Sequence, residues 1–178
     1  MTQPSSPVNP HPTRRRALRW MIEGGLGLGA FVALSRWQTH ALLDAGTAAP
    51  DFEAQDLDGQ PVRLSQYFGQ RILLHFWATW CGVCRQEFGM LNSLQTDSPE
   101  GTRIVAVTTD EQLDALKSFA EAHELRSPVL LAPPGVVRAY QISAFPTNYF
   151  IAPTGRIASA SVGMSGSWAI RSRLRFAS

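Results

Sequence analysis

The sequence predicts an α/β fold in which a central mixed sheet is flanked by helices and extended at its N-terminal side by a β-hairpin. Between residue 50 and residue 178, short apolar runs of strand length alternate with longer segments of helical periodicity. The stretch FEAQDLDGQPVRL (52–64) carries a DG turn between apolar residues, which is typical of a hairpin. A region of about 130 residues is the usual size of one domain, so we expect a single globular domain over residues 50–178.

The remaining elements are predicted in the order strand, helix, strand, helix, β-hairpin and helix, with a further short helix before this hairpin. RILLHFW (71–77) is a nearly continuous apolar run, which predicts a central strand covered on both faces. Further strands are predicted at RIVAVTT (103–109), TNYFIA (147–152) and RIASASVG (156–163). Helical spacing predicts helices at CRQEFGMLNSLQ (84–95), EQLDALKSFAEAHEL (111–125), GVVRAYQI (135–142) and SWAIRSRLRFA (167–177).

The N-terminal region carries the signals of export. Residues 1–13 are polar and proline-rich, so we expect a disordered cytoplasmic tail. Arg14, Arg15, Arg16 and Arg19 precede the apolar MIEGGLGLGAFVAL, and only Arg36 follows it. This asymmetry keeps the N-terminus in the cytoplasm and sends the rest of the chain across the membrane. We therefore expect residues 14–37 to be a single-span membrane anchor, with the domain on the periplasmic side.

Two alternatives remain open for this segment. TRRRALR resembles a twin-arginine export signal, and Thr39 with Ala41 forms a small-x-small cleavage site, so cleavage would leave a soluble periplasmic protein. The segment is also only just long enough to span and contains Glu23, which leaves a basic cytoplasmic tail as the third alternative. Residues 38–49 are rich in small residues and are predicted to be a linker.

The charge of the exported part argues against nucleic acid as a partner. Residues 1–37 hold five arginines and one glutamate, which leaves 11 of the 16 Lys+Arg and 13 of the 14 Asp+Glu for the remainder. The remainder is therefore slightly acidic, whereas nucleic-acid-binding domains present basic patches.

The chain holds only two cysteines, Cys81 and Cys84, at the end of the apolar run 71–77. Such a pair is a structural staple, half of a metal site or a redox pair. A bridge between them closes so short a loop that it removes little entropy from the unfolded chain, which argues against a staple. A zinc site of this type needs two further Cys or His ligands, and the domain offers only His75 and His123.

The order of the elements places both cysteines where a strand ends and a helix begins. Unpaired N–H groups and the helix dipole favour an anion there, so the thiolate of Cys81 should form at a lower pH than in a free cysteine. Cys84 lies one turn further along on the same face and should be less exposed. We therefore predict that Cys81 attacks and that Cys84 resolves the mixed disulfide.

The segment ILLHFWATWCGVC (72–84) resembles the active-site strand and loop of the thioredoxin superfamily. FPTNYF (145–150) resembles the loop whose cis proline faces the disulfide in that family. The preceding segment PDF…DLDG…VRLSQYFG, the motif WATWC and the N-terminal anchor are similar to those of the extracytoplasmic TlpA-like branch. This branch includes cytochrome c maturation thioredoxins. Within that branch, ALRWMIEGG…SRWQ and GMSGSWAIRSRLRFA are similar to the suppressor of copper sensitivity D proteins.

The resemblance implies a thioredoxin-like fold and a redox-active Cys81–Cys84 pair. It also implies a cis proline at Pro146, with Phe145 bordering the disulfide; a buried aromatic without a role in exchange is the alternative for Phe145. Trp80 is expected to shield the sulfur of Cys81. No bound cofactor and no metal are expected.

Three positions depart from the family pattern. His75 stands where thioredoxins have aspartate and TlpA-like members often have asparagine; we expect either a proton carrier for Cys84 or a hydrogen-bonded core histidine. The dipeptide Gly82-Val83 lacks the proline of the most reducing members. Gly89 stands where many relatives have a helix-kinking proline.

These observations predict an extracytoplasmic thiol-disulfide oxidoreductase that exchanges disulfides with protein substrates, more often as a reductase. Its electrons must come from a membrane redox partner, because the chain has no second pair of cysteines. The alternative is a metallochaperone in which the two thiols bind Cu(I), a metal that prefers soft ligands. Gly82, Val83, His75 and Phe145 together should set the potential and hence the direction of exchange.

Overall fold

The computed structural model describes residues 42–109 and 112–177. Within these residues the strands are β1 Glu53–Gln55, β2 Pro61–Arg63, β3 Arg71–Phe76, β4 Thr102–Thr108, β5 Val129–Leu131, β6 Thr147–Ile151 and β7 Ile157–Val162. The helices are α1 Gly82–Asp97, α2 Leu113–Ala122, α3 Gly135–Ala139 and α4 Ser167–Phe176, with a 3-10 turn at Leu64–Tyr67.

The strands form one mixed sheet in the order β2-β1-β5-β4-β3-β6-β7. β3 lies near its centre, parallel to β4 and antiparallel to β6. β1 and β2 form an antiparallel hairpin that joins the sheet through the pairing of Gln55 with Leu131 of β5. The predicted mixed sheet with an N-terminal hairpin is confirmed.

Alternation along β3 supplies both faces of the sheet. Ile72, Leu74 and Phe76 point into one core, which the 3-10 turn and α3 cover. Leu73 and Trp77 point into the other core, together with residues of α1, α2 and α4. Because both faces are covered, the strand reads as a nearly continuous apolar run. The cysteines belong to the second core.

One strand, β5, was absent from the prediction. It is only three residues long and lies between Pro128 and Ala132, so it is too short to show a period. It forms because β4 offers a parallel partner, with Leu130 opposite Val107. The predicted order of elements is therefore wrong between α2 and α3.

Part of the predicted linker packs against the domain. Leu42 and Ala49 are 5% and 7% exposed, and the N–H groups of Gly46 and Ala49 donate to the carbonyls of Ile157 and Gly155 at 2.7 and 2.9 Å. The predicted tail, the anchor or export signal and residues 38–41 lie outside the described residues. Within the described ranges, no helix is long and apolar enough to cross a membrane.

Candidate active site

The junction between β3 and α1 holds the two cysteines. Cys81 is the N-cap of α1, and Cys84 lies in its first turn. The two form a disulfide, with their Cα atoms 5.3 Å apart. Cys84 is fully buried, whereas Cys81 keeps 7% of its surface exposed. Only Cys81 is therefore open to attack from outside.

The cap geometry also favours a thiolate at Cys81. The backbone N–H of Cys84 donates to Cys81 Sγ over 3.2 Å. A backbone N–H and the positive end of a helix dipole stabilise an anionic sulfur at a helix N-terminus. The sequence predicted this placement from the end of the apolar strand.

An exposed apolar rim surrounds Cys81. The indole of Trp80 is 66% exposed and Val83 is 43% exposed, with Gly82 exposed between Cys81 and Val83. Trp80 packs edge-to-face against the half-buried Phe145, with ring centroids 5.7 Å apart. The structure thus brings the WATWC loop and the FPTNYF loop together in space.

Pro146 lies at the entrance of β6, and the Phe145–Pro146 peptide bond is cis, as the family resemblance implies. Pro146 is buried, and its carbonyl accepts a 2.8 Å hydrogen bond from the N–H of Gly163. Thr147 pairs with Phe76 across β3 and β6. Pro146 therefore lies beside the point where the chain leaves β3 toward Cys81.

His75 is fully buried in the layer between β3 and α1. Its Nδ1 lies 2.8 Å from Oδ1 of Asn148 on β6, and its ring packs edge-to-face on Phe88, at a centroid distance of 6.0 Å. Phe88 lies one turn after Cys84 on α1, so His75 and Cys84 share this layer. Burial lowers the pKa of His75 from 6.5 to about 4, and the hydrogen bond with Asn148 opposes the shift.

We predict that His75 makes the native state less stable as the pH falls. Its native pKa of about 4 lies below the unfolded value of 6.5. Between these values the unfolded chain binds a proton that the native chain does not, so acidification favours unfolding. At 1.36 kcal/mol per pKa unit, the free energy of unfolding should fall by about 3 kcal/mol between about pH 7 and pH 4.

Urea unfolding of the oxidised full chain at both pH values measures this loss, with His75→Asn as the control that has no titrating ring. The variant should lose about 3 kcal/mol less than the wild type. Burial raises the pKa of Glu87, and the Ser165 N–H opposes the shift. Protonation of Glu87 therefore raises the free energy of unfolding on acidification. This contribution is the same in the wild type and the variant, so it cancels in the difference between them. Parallel pH curves for the two proteins would contradict the assignment to His75.

Glu87 is a buried acidic residue near the cysteines that the sequence did not lead us to predict. It is 2% exposed, its Oε1 accepts a 2.8 Å hydrogen bond from the N–H of Ser165, and its Oε2 is buried without a hydrogen-bond partner among the described residues. It lies one turn after Cys84 and in line with Leu91 and Leu94. An acidic residue on an apolar helix stripe was the signal that could have revealed it.

The two thiols have no cluster of further metal ligands beside them among the described residues. In the described part of the chain, no three or more His, Cys, Asp and Glu side chains cluster to hold a metal ion. His123 follows α2 and is exposed, with its ring stacked on Phe119 at 4.2 Å.

Comparison with known proteins identifies the family. Residues 45–160 match the AhpC/TSA family, which is more than half of the 178 residues. The chain belongs to the AhpC/TSA family. Within this thioredoxin-like family, the chain is 32% identical over 146 residues to the thioredoxin-like protein YneN of Bacillus subtilis, covering 80% of this chain and 85% of YneN.

Other members of the family carry a stated activity. The thiol-disulfide oxidoreductase ResA of Bacillus subtilis is 33% identical over 123 residues, which cover 68% of this chain and 69% of ResA. A Chlorobium tepidum protein described as a thiol:disulfide interchange protein DsbE superposes with a TM-score of 0.71 at 32% identity, over 76% of this chain and 98% of that one. The thioredoxin-like fold and the TlpA-like resemblance are confirmed, and with its CxxC disulfide the chain is a thiol-disulfide oxidoreductase.

Proposed function

We propose that the chain reduces disulfides of protein substrates on the outer side of the cytoplasmic membrane. One observation carries the proposal, namely the Cys81–Cys84 disulfide at the N-terminus of α1 with only Cys81 reachable from outside. This asymmetry suits a pair in which one sulfur meets the substrate and the other completes the exchange.

The exchange takes two steps. The Cys81 thiolate attacks one sulfur of a substrate disulfide, which forms a mixed disulfide and releases the other substrate sulfur as a thiolate. The Cys84 thiolate then attacks Cys81 Sγ, closes the Cys81–Cys84 bond and releases the second substrate thiolate. Two electrons pass to the substrate. A membrane redox partner must then supply two electrons to reduce the Cys81–Cys84 disulfide again, because the chain has only two cysteines.

Cys84 has to lose its proton before the second step, and we propose that His75 accepts this proton. The Nε2 atom of His75 is buried and has no hydrogen-bond partner among the described residues. The ring is neutral near pH 7 while the disulfide is closed, since its pKa is about 4. Negative charge developing on the Cys84 sulfur favours the protonated ring, so Nε2 becomes a better base as the thiol ionises.

The rim of Trp80, Val83 and Phe145 is the surface on which we expect the substrate to lie. Two of these side chains are more than 40% exposed, and Trp80 is fixed by its contact with Phe145. Gly82 adds backbone without a side chain beside Cys81. An extended apolar segment of a protein substrate fits such a rim better than a small charged thiol does.

The surroundings of Cys81 support the reducing direction. A dithiol pair is a strong oxidant when its reduced form is strongly stabilised. Here one backbone N–H lies 3.2 Å from Cys81 Sγ, and the buried ring in the layer below is neutral at physiological pH. Modest stabilisation of the thiolate leaves the disulfide form favoured, so the reduced pair donates electrons readily.

The reduction potential of the Cys81–Cys84 pair tests this direction. We expect a value near that of thioredoxin, about −270 mV, and far from that of DsbA, about −120 mV. Equilibration of the full chain in dithiothreitol buffers, followed by alkylation of free thiols and mass measurement, gives the value. A potential close to that of DsbA would reverse the proposed direction while leaving the exchange chemistry in place.

The N-terminal segment supports a location in the cell envelope. Within residues 14–37, four arginines precede the apolar stretch MIEGGLGLGAFVAL and one follows it, which favours an orientation with the domain outside the cytoplasm. Stable disulfides also persist mainly in oxidising compartments, where such an enzyme finds its substrates. We propose that the segment remains as a single-span anchor, which holds the domain near its membrane redox partner.

A further inference from the structure

His75 and Asn148 form a polar pair inside an otherwise apolar layer. They lie directly opposite each other on the antiparallel strands β3 and β6, so their side chains share one face of the sheet. Both are fully buried. A side-chain hydrogen bond joins His75 Nδ1 and Asn148 Oδ1 at 2.8 Å.

The orientation of the Asn148 amide sets which ring nitrogen carries the proton. In the structure the amide of Asn148 turns Oδ1 toward the ring and leaves Nδ2 buried without a partner among the described residues. An amide oxygen only accepts hydrogen bonds, so with this orientation Nδ1 of His75 is the donor. A neutral imidazole carries one proton, which leaves Nε2 with a free lone pair. The other arrangement, with the proton on Nε2, would place two acceptors against each other within the pair.

The free lone pair of Nε2 has no partner in the oxidised protein. Nε2 is buried without a hydrogen bond among the described residues, and a buried acceptor of this kind lowers stability unless a donor is supplied. The Cys84 sulfur, in the same layer, carries no proton while the disulfide is closed. Reduction creates a Cys84 S–H, which is a donor. The unpaired acceptor thus matches a group that exists only in the reduced protein.

We propose that Asn148 is a positioning residue that fixes the tautomer of His75 and so presents Nε2 as the base for the Cys84 thiol. The inference rests on the proposed role of His75. In the step it serves, the proton of the Cys84 thiol moves to Nε2. The resulting thiolate attacks Cys81 Sγ, the Cys81–substrate bond breaks, and the departing substrate thiolate takes up a proton from water. Nε2 then releases its proton to water, which restores the neutral ring.

The neighbours of His75 leave few other groups that can titrate with it. From β4 the opposite residue is Ala106, and from β6 it is Asn148, neither of which ionises. From α1 and its N-cap the titratable groups of the layer in the reduced protein are Cys81, Cys84 and Glu87. Because Glu87 has a raised pKa of its own, the pH profile of exchange must be compared between variants rather than interpreted from the wild type alone.

The first measurement is the tautomer itself. Histidine labelled with ¹⁵N in the oxidised full chain in detergent micelles gives separate Nδ1 and Nε2 signals, and the His75→Asn spectrum identifies those of His75. We expect protonated Nδ1 and unprotonated Nε2 near neutral pH in the wild type. Protonated Nε2 would overturn the inference without any substitution at Asn148.

The second measurement is the release of a fluorescent thiol from a disulfide-linked peptide, followed by stopped flow across a pH series. Asn148→Leu removes the acceptor, and we expect release at neutral pH to slow about tenfold. Asn148→Asp keeps an acceptor for Nδ1–H, so it should restore most of the rate and shift the profile to higher pH, because a carboxylate raises the pKa of the ring. The control is Thr108→Val on β4. It removes a buried hydroxyl that has no hydrogen-bond partner among the described residues, and it should leave the pH profile unchanged.

A double variant separates positioning from packing. If Asn148 acts through His75, His75→Asn and Asn148→Leu together should slow release no more than His75→Asn alone. Additive losses would show that Asn148 contributes independently and would overturn the inference. If His75→Asn slows release and Asn148→Leu leaves the rate unchanged, the positioning role of Asn148 is wrong and the role of His75 stands. If His75→Asn releases the thiol at the wild-type rate and with the wild-type pH profile, both the proposed role of His75 and this inference are wrong. The exchange by the two cysteines would still stand.

Discussion

Replacing Cys84 by alanine is expected to trap substrates as mixed disulfides on Cys81, whereas replacing Cys81 by alanine should trap almost none. In Cys84→Ala the first attack still occurs, because Cys81 keeps its exposed edge and its place at the N-terminus of α1. The second attack has no thiol to perform it, so the intermediate accumulates. In Cys81→Ala the remaining thiol is fully buried and does not reach a substrate disulfide.

The trapped species are measured on non-reducing gels of the envelope fraction after rapid acid quenching and alkylation, and their partners are identified by mass spectrometry. The full chain itself should pellet with the membranes. A variant lacking both cysteines controls for non-covalent association, and treatment with a reductant should release every true adduct. Equal trapping by the two single variants would contradict the assignment of attacking and resolving roles.

The local sequence pattern was sufficient to predict the strand and the helix that hold Cys81 and Cys84. The alternation in β3 and the helical spacing after it follow from which faces are buried, so they are visible in the sequence. The cysteines at the junction, and hence the helix N-terminus beneath Cys81, follow directly from those two elements. Only the family resemblance implied that Phe145 borders the disulfide. The contact between Trp80 and Phe145 was not predicted, because it joins loops 65 residues apart.

The pairing of His75 with Asn148 could not be predicted in the same way. The two residues are 73 positions apart, and they meet only because the register of β3 against β6 sets them opposite each other. A shift of one residue would place Asn148 on the other face of the sheet. The three-residue β5 and the packing of Leu42 have the same origin, since both depend on partners distant in the sequence.

Pro146→Thr is expected to slow the release of substrate from the mixed disulfide about tenfold to a hundredfold. Pro146 has no N–H, and its carbonyl is already bonded to the N–H of Gly163. The backbone beside Cys81 therefore offers no donor at this position. Threonine would add an N–H and a hydroxyl at the point where β6 begins. A new hydrogen bond to the thiolate or to the bound substrate would stabilise the intermediate by about 1.5–3 kcal/mol, which corresponds to the expected slowing.

Pro128→Thr is the matched control for this substitution. Pro128 also stands immediately before a strand, β5, and its carbonyl also accepts from a backbone N–H, that of Ala106 at 2.9 Å. It lies away from the Trp80–Phe145 rim, so its replacement should change the free energy of unfolding but not the lifetime of the mixed disulfide. The lifetime is followed by stopped-flow release of a fluorescent thiol and by the amount of adduct in acid-quenched cells. If both variants release substrate at the wild-type rate, the missing N–H at Pro146 has no part in exchange. If both are slowed alike, the effect arises from general loosening of the sheet. Slowing confined to Pro146→Thr would place the control of release in the backbone beside Cys81.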